Sequence, residues 1–268
     1  MFFRRKLAGA NFFENYSNEM VRGGDTLHIP IISSNFTAAA VTSTSGDCTI
    51  MNVNDTSTTI VLSTWQNANH SITDLQKAQI ASQYRLKEGY AIAMGHALAT
   101  KLDTDLLALA TNLDPVVGDS GTDVQATTLE EAINIMESYS VPLDECLFVF
   151  HPNCYWGEVI RSRKLTDMSR YGEATLPTGA HDRLYGIPVV ISPNVPTGTA
   201  STEGGHRNLL VQKSAFVYAI ANLEGGEANG IHLVEKKSES LRTKIIADIA
   251  YGVQYTSAYK GVRIISNT

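Results

Sequence analysis

Between residues 71 and 112 apolar side chains return at three- and four-residue steps, and any fold of this chain has to house the long helix that such spacing predicts. Leu75, Ala78, Ala81, Tyr84, Ala91, Met94, Ala97, Leu98, Leu102, Leu106 and Leu109 carry the repeat, and no proline interrupts it before Pro115. The hydroxyl of Ser71 is placed to cap the first turn, and Asp74, three residues on, suits the positive end of a helix. At 1.5 Å of rise per residue, roughly 40 residues make a rod on the order of 60 Å long, which few compact domains of this size need. Gly89 and Gly95 lie inside it, each costing about 1 kcal/mol against alanine, so a bend near the middle is expected.

The chain has 268 residues, 43% of them hydrophobic, enough to bury a sizeable core in one large domain or two interleaved lobes. Only 18% are charged, below the usual quarter, while Thr, Ser, Asn and Gly are plentiful. Surfaces of that kind are polar without being highly charged, and they often meet other protein. A net charge of -6 argues against holding nucleic acid through phosphate contacts, which need a basic face. Cys48, Cys146 and Cys154 are odd in number and badly spaced for a disulfide framework or a metal clip, which fits a reducing cytoplasm. The opening MFFRRK leads into an apolar run broken at Asn11, Glu14 and Asn15, unlike a signal peptide, and no stretch approaches the ~18 apolar residues of a membrane span. In that setting the sequons at Asn15, Asn35, Asn54 and Asn69 read as accidents of composition.

Residues 1–22 place Phe2, Phe3, Phe12, Phe13 and Tyr16 among Arg4, Arg5, Lys6 and Arg22 with little period. So many phenylalanines predict an arm that docks, with Phe12 and Phe13 on an adjacent subunit, instead of a frayed terminus. Residues 26–31 alternate, and residues 58–65 form a β-branched run with Val61 and Trp65 on one face and Ile60 and Leu62 on the other. Together they predict the legs of a long hairpin. The segment between them, 33–57, is rich in Ser, Thr, Asn and Ala with a turn signal at Gly46-Asp47, and it is too long for an ordinary hairpin loop. A two-stranded ribbon is marginal in water, so this one is expected to lean on a neighbouring subunit.

Beyond the long helix a polar linker at 112–127 holds Pro115, Gly118 and Gly121. Thr128 followed by Glu131 reads as a capping box that opens a short helix through Ile133, Ile135 and Met136. Further expectations are a buried strand at 146–150, a helix at 154–163, a strand at 187–192 and a Gly/Thr/Ser-rich loop at 198–205. Final strands at 231–235, 244–253 and 261–265 are expected to pack under the long helix. Alternating strands and helices predict a mixed sheet covered by helices, in an α+β chain.

Gly118-Asp119-Ser120-Gly121 resembles the nucleophile signature of trypsin-like proteases, but Thr122 stands where that signature has glycine, and the motif follows a long helix instead of lying in a strand-rich barrel. It reads as a polar linker. His151, Cys154 and Glu158 lie close in sequence, yet thiol enzymes normally draw their base from elsewhere in the chain, and a cysteine near Phe148 and Trp156 reads as core. His28, His70, His96, His181, His206 and His232 show no ligand spacing, and neither GxGxxG nor GxxxxGK[ST] occurs, so no catalytic residue, metal or cofactor is expected. Lys236, Lys237, Arg242 and Lys244, interleaved with Glu235 and Glu239, read as a solvated or inter-subunit strand face.

The succession of parts is more specific than any one string: an aromatic-basic arm, a hairpin from GDTLHIPI, a capped helix ending LDTDLLALA, an α/β lobe with FVFHPN and GIPVVISP, then NLLVQKSAFVYAI and strands through YGVQYTSAYKGVRII. In that order they resemble a major capsid protein of a tailed bacteriophage, with the Hong Kong 97 type fold, over nearly the whole chain from about Gly24. The resemblance implies an N-terminal arm at 1–23 and an extended loop with its base at 24–70. A spine helix of a peripheral domain at 71–115, an α/β axial domain at 116–228 and return strands of the peripheral domain at 229–268 follow. It also implies a structural protein, not an enzyme, whose pentamers and hexamers close into an icosahedral shell around double-stranded DNA touched non-specifically at most. Portal, scaffolding and decoration proteins would be its partners, with no membrane, and its place would be the virion after assembly in the host bacterial cytoplasm.

The expected inter-subunit contacts are Phe2, Phe3, Arg4, Arg5, Phe12 and Phe13 of the arm and Leu27, Ile29, Ile31, Val61 and Trp65 of the loop. The type member of this family joins an extended-loop lysine to a neighbour's asparagine in an isopeptide bond. Here no lysine or arginine occurs between Arg22 and Lys77, so no covalent cross-link is expected. An encapsulin-like nanocompartment shell shares the fold and is the nearest alternative, whereas a cytoplasmic thiol or serine hydrolase rests only on the weak motifs above.

Overall fold

A computed structural model of the protein describes residues 9–20, 24–31, 56–79, 83–162, 183–198, 204–223, 231–238 and 241–267. Phe2, Phe3, Arg4, Arg5, Cys48, His181 and most of the segment 33–57 lie outside the described residues. In chain order, α1 (Gly9–Phe12), β1 (Glu14–Asn15) and α2 (Ser17–Met20) are followed by β2 (Thr26–Ile31), β3 (Thr56–Val61) and β4 (Thr64–Thr73). Then come α3 (Asp74–Gln79) and α4 (Gln83–Ala108), which tightens into a 3-10 turn at Leu109–Asn112. Next are β5 (Val116–Gly118), α5 (Ala126–Ser138), β6 (Cys146–Phe150) and α6 (Pro152–Cys154), the last continued by a π turn at Tyr155–Val159. The chain ends with β7 (Arg183–Leu184), β8 (Ile187–Ile191), β9 (Arg207–Gln212), β10 (Phe216–Ile220), β11 (His232–Ser238), β12 (Arg242–Tyr255) and β13 (Gly261–Ile265).

These elements build two sheets and a ribbon in an α+β chain. Among the described residues the first sheet is five-stranded, with β1, β10, β12 and β11 in order and β4 paired along β12; the second is six-stranded, ordered β5-β13-β9-β6-β8-β7; and β2 and β3 pair only with each other. Met94, Leu98, Leu102 and Leu106, one apolar stripe of α4 at four-residue steps, share a core with Ile245, Ala247, Ile249 and Tyr251 of β12. The same core takes in Leu147, Val149, Leu209 and Val211, so the end of the long helix is wedged between both sheets. On the other face of the six-stranded sheet, Phe148, Phe150, Leu210, Val262 and Ile264 pack with Leu129, Ala132 and Met136 of α5 and with Cys154 and Tyr155. Each Leu, Ile, Val, Phe or Met side chain buried in this way stabilises the fold by about 1.5–3 kcal/mol relative to exposure.

The long helix is present, but it starts later than the periodicity suggests. Ser71 lies in β4 opposite Lys244, and the cap belongs to Thr73, whose Oγ1 accepts from Gln76 N (3.3 Å) while Gln76 Oε1 accepts from Thr73 N (3.1 Å). Gly89 and Gly95 do not interrupt α4, and residues 80–82 lie outside the described residues. Thr128 lies inside α5 and not at its start, because the first turn is capped from a distance: Ala126 N donates to Ser162 Oγ (3.3 Å) and Val124 N to Glu158 Oε2 (2.7 Å). The expected helix at 154–163 is shorter, ending with the π turn. Val116 and Val117, within the expected polar linker, form β5 because Val117 is buried beside Ile264.

The two sheets also interleave along the chain. β10, within the expected axial stretch at 116–228, pairs with β12 in the five-stranded sheet. Conversely, β13, expected under the long helix, pairs with β9 and β5 in the six-stranded sheet, where Val262 and Ile264 reach the α5 side. Alternation along a strand reports which face is apolar and not which sheet it joins.

Candidate assembly interface

The described part of the arm, 9–20, lies on its own chain. β1 runs parallel to β10, Tyr16 N donates to Tyr218 O (2.9 Å) and Ile220 N donates to Ser17 Oγ (2.9 Å). Phe13 is buried with its ring 5.0 Å from Phe216, and Phe12, half-buried, meets Phe13 edge-on at 5.4 Å. For Phe13 the expected contact with an adjacent subunit gives way to the core of its own chain, because β10 offers β1 an open edge with Phe216 at its end, whereas Phe12 packs on that core and keeps part of its surface outward.

The ribbon has the legs its alternation predicts, running from Thr26 opposite Val61 to Ile31 opposite Thr56. Its base is anchored in cis. Ile60 is fully buried with Met20, Val217 and Ala219, and Leu27, Ile29 and Leu62 pack around them. The ribbon can sit this close because β12 has Gly252 beneath it, where a Cβ would stand 2.3 Å from Val61 O. Leu27 and Ile29, expected on a neighbour, therefore spend part of their surface on their own chain. Ile31 is half-buried at the last described residue of that strand, and Val61 remains 48% exposed.

Trp65 is not on the ribbon. The chain leaves β3 at 62–63, and Trp65 lies in β4 opposite Ala250. Its ring is 72% exposed, yet its indole N–H is held, donating to Asp248 Oδ2 at 3.0 Å. The other oxygen of Asp248 is 2.9 Å from His232 Nδ1, so one nearly buried carboxylate ties β4, β12 and β11 together. The sequence carried a signal for this arrangement that periodicity reading passes over: Asp248 is a lone acid inside the apolar run IIADIAYG. Beyond it, exposed Lys236 and Lys244 stand directly opposite on the same strand pair.

Cys154 is fully buried, and burial, then the charge of Glu158, pushes its thiol far up. Burial and Glu145 push Cys146 up to about 11. A nucleophilic thiol needs the opposite shift. His151 Nδ1 accepts from Asn153 N (3.2 Å), capping α6, and its ring stacks on His206 with centroids 3.5 Å apart. Burial holds both imidazoles below the ordinary histidine range, and His206 adds to the shift of His151. Buried Asn208 fastens this pair to the sheet, accepting from His151 N (2.7 Å) and donating to the carbonyls of His206 (3.2 Å) and Ile264 (3.3 Å). Ser120 Oγ donates to Asp119 Oδ1 (3.3 Å) in a turn after β5. Among the described residues no group of three or more His, Cys, Asp or Glu side chains is placed to hold a metal ion, and no helix is long and apolar enough to cross a membrane.

No protein-family model matches the chain, and no curated protein matches it. Solved structures do. A chain of Mycobacterium phage Che8 is 19% identical with a TM-score of 0.75, the match covering 96% of this chain and 90% of that one. The capsid structure of the cyanophage P-SCSP1u is 16% identical at a TM-score of 0.72, covering 96% and 87%. The mature capsid of bacteriophage PhiM1 is 11% identical at 0.70, covering 96% and 86%. Across almost its whole length the chain has the fold of these structures.

Proposed function

We propose that the chain is a structural major capsid protein of the Hong Kong 97 type, whose pentamers and hexamers close into the icosahedral head around a phage double-stranded DNA genome. The observation that carries this reading is the fold shared with phage capsid structures over nearly the entire chain. The chemistry agrees with a non-enzymatic role, since the thiols of Cys146 and Cys154 are core groups and the His151–His206 pair is bound into the sheet. In this reading residues 1–23 are the arm, 24–70 the extended loop and its base, 71–115 the spine helix, 116–228 most of the axial domain and 229–268 the return segment, with β10 and β13 exchanged between the two sheets. Phe2, Phe3, Arg4, Arg5 and the outward part of Phe12 in the arm, with Leu27, Ile29, Ile31 and Val61 of the ribbon and Trp65 of β4, are the residues offered to neighbouring subunits. Portal and scaffolding proteins would join the assembly in the host bacterial cytoplasm, and the product would be the virion head.

Negative-stain microscopy of the expressed protein tests the proposal. Hollow particles of uniform diameter are the expected result, and protein that stays monomeric at every concentration overturns it. Deleting 33–57 should leave soluble subunits or loose capsomers, because a two-stranded ribbon is marginal in water unless it leans on another surface. Normal shells from that deletion would remove the loop from the interface.

A further inference from the structure

The edges of the two sheets are unevenly defended. An edge strand turns every second N–H and C=O outward, so proteins that stay single keep such strands short or furnish them with charge or proline. Here β1, β5 and β7 are two or three residues long. β11, along one side of β12, carries Glu235, Lys236 and Lys237, and β2 of the ribbon carries Pro30. β4 differs. It follows the other side of β12 for ten residues and reads TWQNANHSIT, with no Lys, Arg, Asp, Glu or Pro. Among the described residues no strand pairs with its outer edge. From the same strand Trp65 stands in solvent with its orientation set by Asp248.

We infer that the outer edge of β4 is completed by a strand from a second copy of this chain, so that the five-stranded sheet continues across a subunit boundary. This rests on the shell reading, which supplies an identical copy at every boundary. A copy is the fitting occupant on two grounds. The edge offers backbone groups and neutral Thr, Gln, Asn and Ser side chains, and so has no charge with which to select a charged partner. The chain also owns neutral extended strands to supply, β3 (TSTTIV) and β4 itself, so pairing between copies brings no charge into the new ladder. Trp65 then acts as the anchor, because a large aromatic ring whose orientation is already fixed, here by Asp248, is where interface energy concentrates.

Residue-resolved amide hydrogen exchange on assembled wild-type particles reads the edge directly. A strand paired on one side only protects alternate amides, whereas one paired on both sides protects all of them. Protection at consecutive amides through 64–73 is the expected result. Alternating protection, with every second amide exchanging near the free-peptide rate, overturns the inference while leaving the shell reading intact. Wild-type protein that forms no particle overturns both. Asn67→Lys combined with Asn69→Lys, two exposed positions of β4, should cut particle yield at least about tenfold while the unassembled subunit melts as wild type does. An unchanged yield also overturns the inference.

Discussion

Strands β6 and β4 are opposite extremes of one chain. β6 (CLFVF) is buried at all five positions, between β9 and β8, with α5 over one face and the end of α4 against the other. β4 has a partner on one side, and Ile72 is its one buried residue. The difference separates two requirements. The six-stranded sheet buries its apolar strands within the one chain, whereas β4 and the described legs β2 and β3 are uncharged, extended and only partly covered, which suits surfaces finished by another molecule. Substitutions in the two regions should therefore fail in different assays.

The largest effect is expected from Phe148→Ala. Phe148 is fully buried and stacked at 5.4 Å on Phe150, and its truncation should cost about 3–5 kcal/mol, a large share of the ~5–15 kcal/mol that holds a typical domain. Circular dichroism melting of the unassembled subunit checks this; a midpoint within about 2 °C of wild type would break the contrast at its stable end. Ile60→Ala comes next, at about 2 kcal/mol, because the surrounding Met20, Leu27, Ile29 and Leu62 can partly collapse onto the gap. Here the secondary structure should persist while limited proteolysis cuts the ribbon faster than in wild type. Equal cleavage rates would show that the base is not anchored through this residue.

Trp65→Ala should shift the subunit's own stability by only about 0.5 kcal/mol, since the ring is in solvent and Asp248 keeps His232. Assembled particles should nonetheless melt several degrees lower, and identical melting of particles would take Trp65 out of the interface. A smaller effect should follow from acid. The folded pKa values of His151 and His206 lie below the ordinary 6.5, so the unfolded chain takes up protons first and stability falls as pH drops below about 6.5. Replacing both by Gln should flatten the dependence of the subunit's melting midpoint between about pH 7.5 and 5.5; an unaltered slope would assign the acid sensitivity elsewhere. The smallest expected effect is none. Particles boiled in detergent with reductant should run as one band near 29.1 kDa, because no lysine lies between Gly23 and Gln76 to form an isopeptide bond. A reductant-resistant ladder would show that the ribbon is held by more than pairing and apolar contact.

The amino-acid sequence by itself determined the elements whose signal is local. Four-residue steps from Met94 to Leu106 specify one buried helix stripe, alternation in TLHIPI specifies a ribbon leg, and the apolar runs CLFVF and GVRII specify buried strands. The missing lysine of the ribbon is legible in the same direct way. Tertiary structure alone decided the partners. Phe13 finds Phe216, Asp248 holds Trp65 from 183 residues away, and Ser162 caps a helix that opens at Ala126. β10 and β13 likewise join sheets that their place in the chain does not announce. The reason is physical. Period and propensity report which face of an element shuns water, while the identity of the surface that covers it depends on contacts between residues far apart in the chain, or on another subunit.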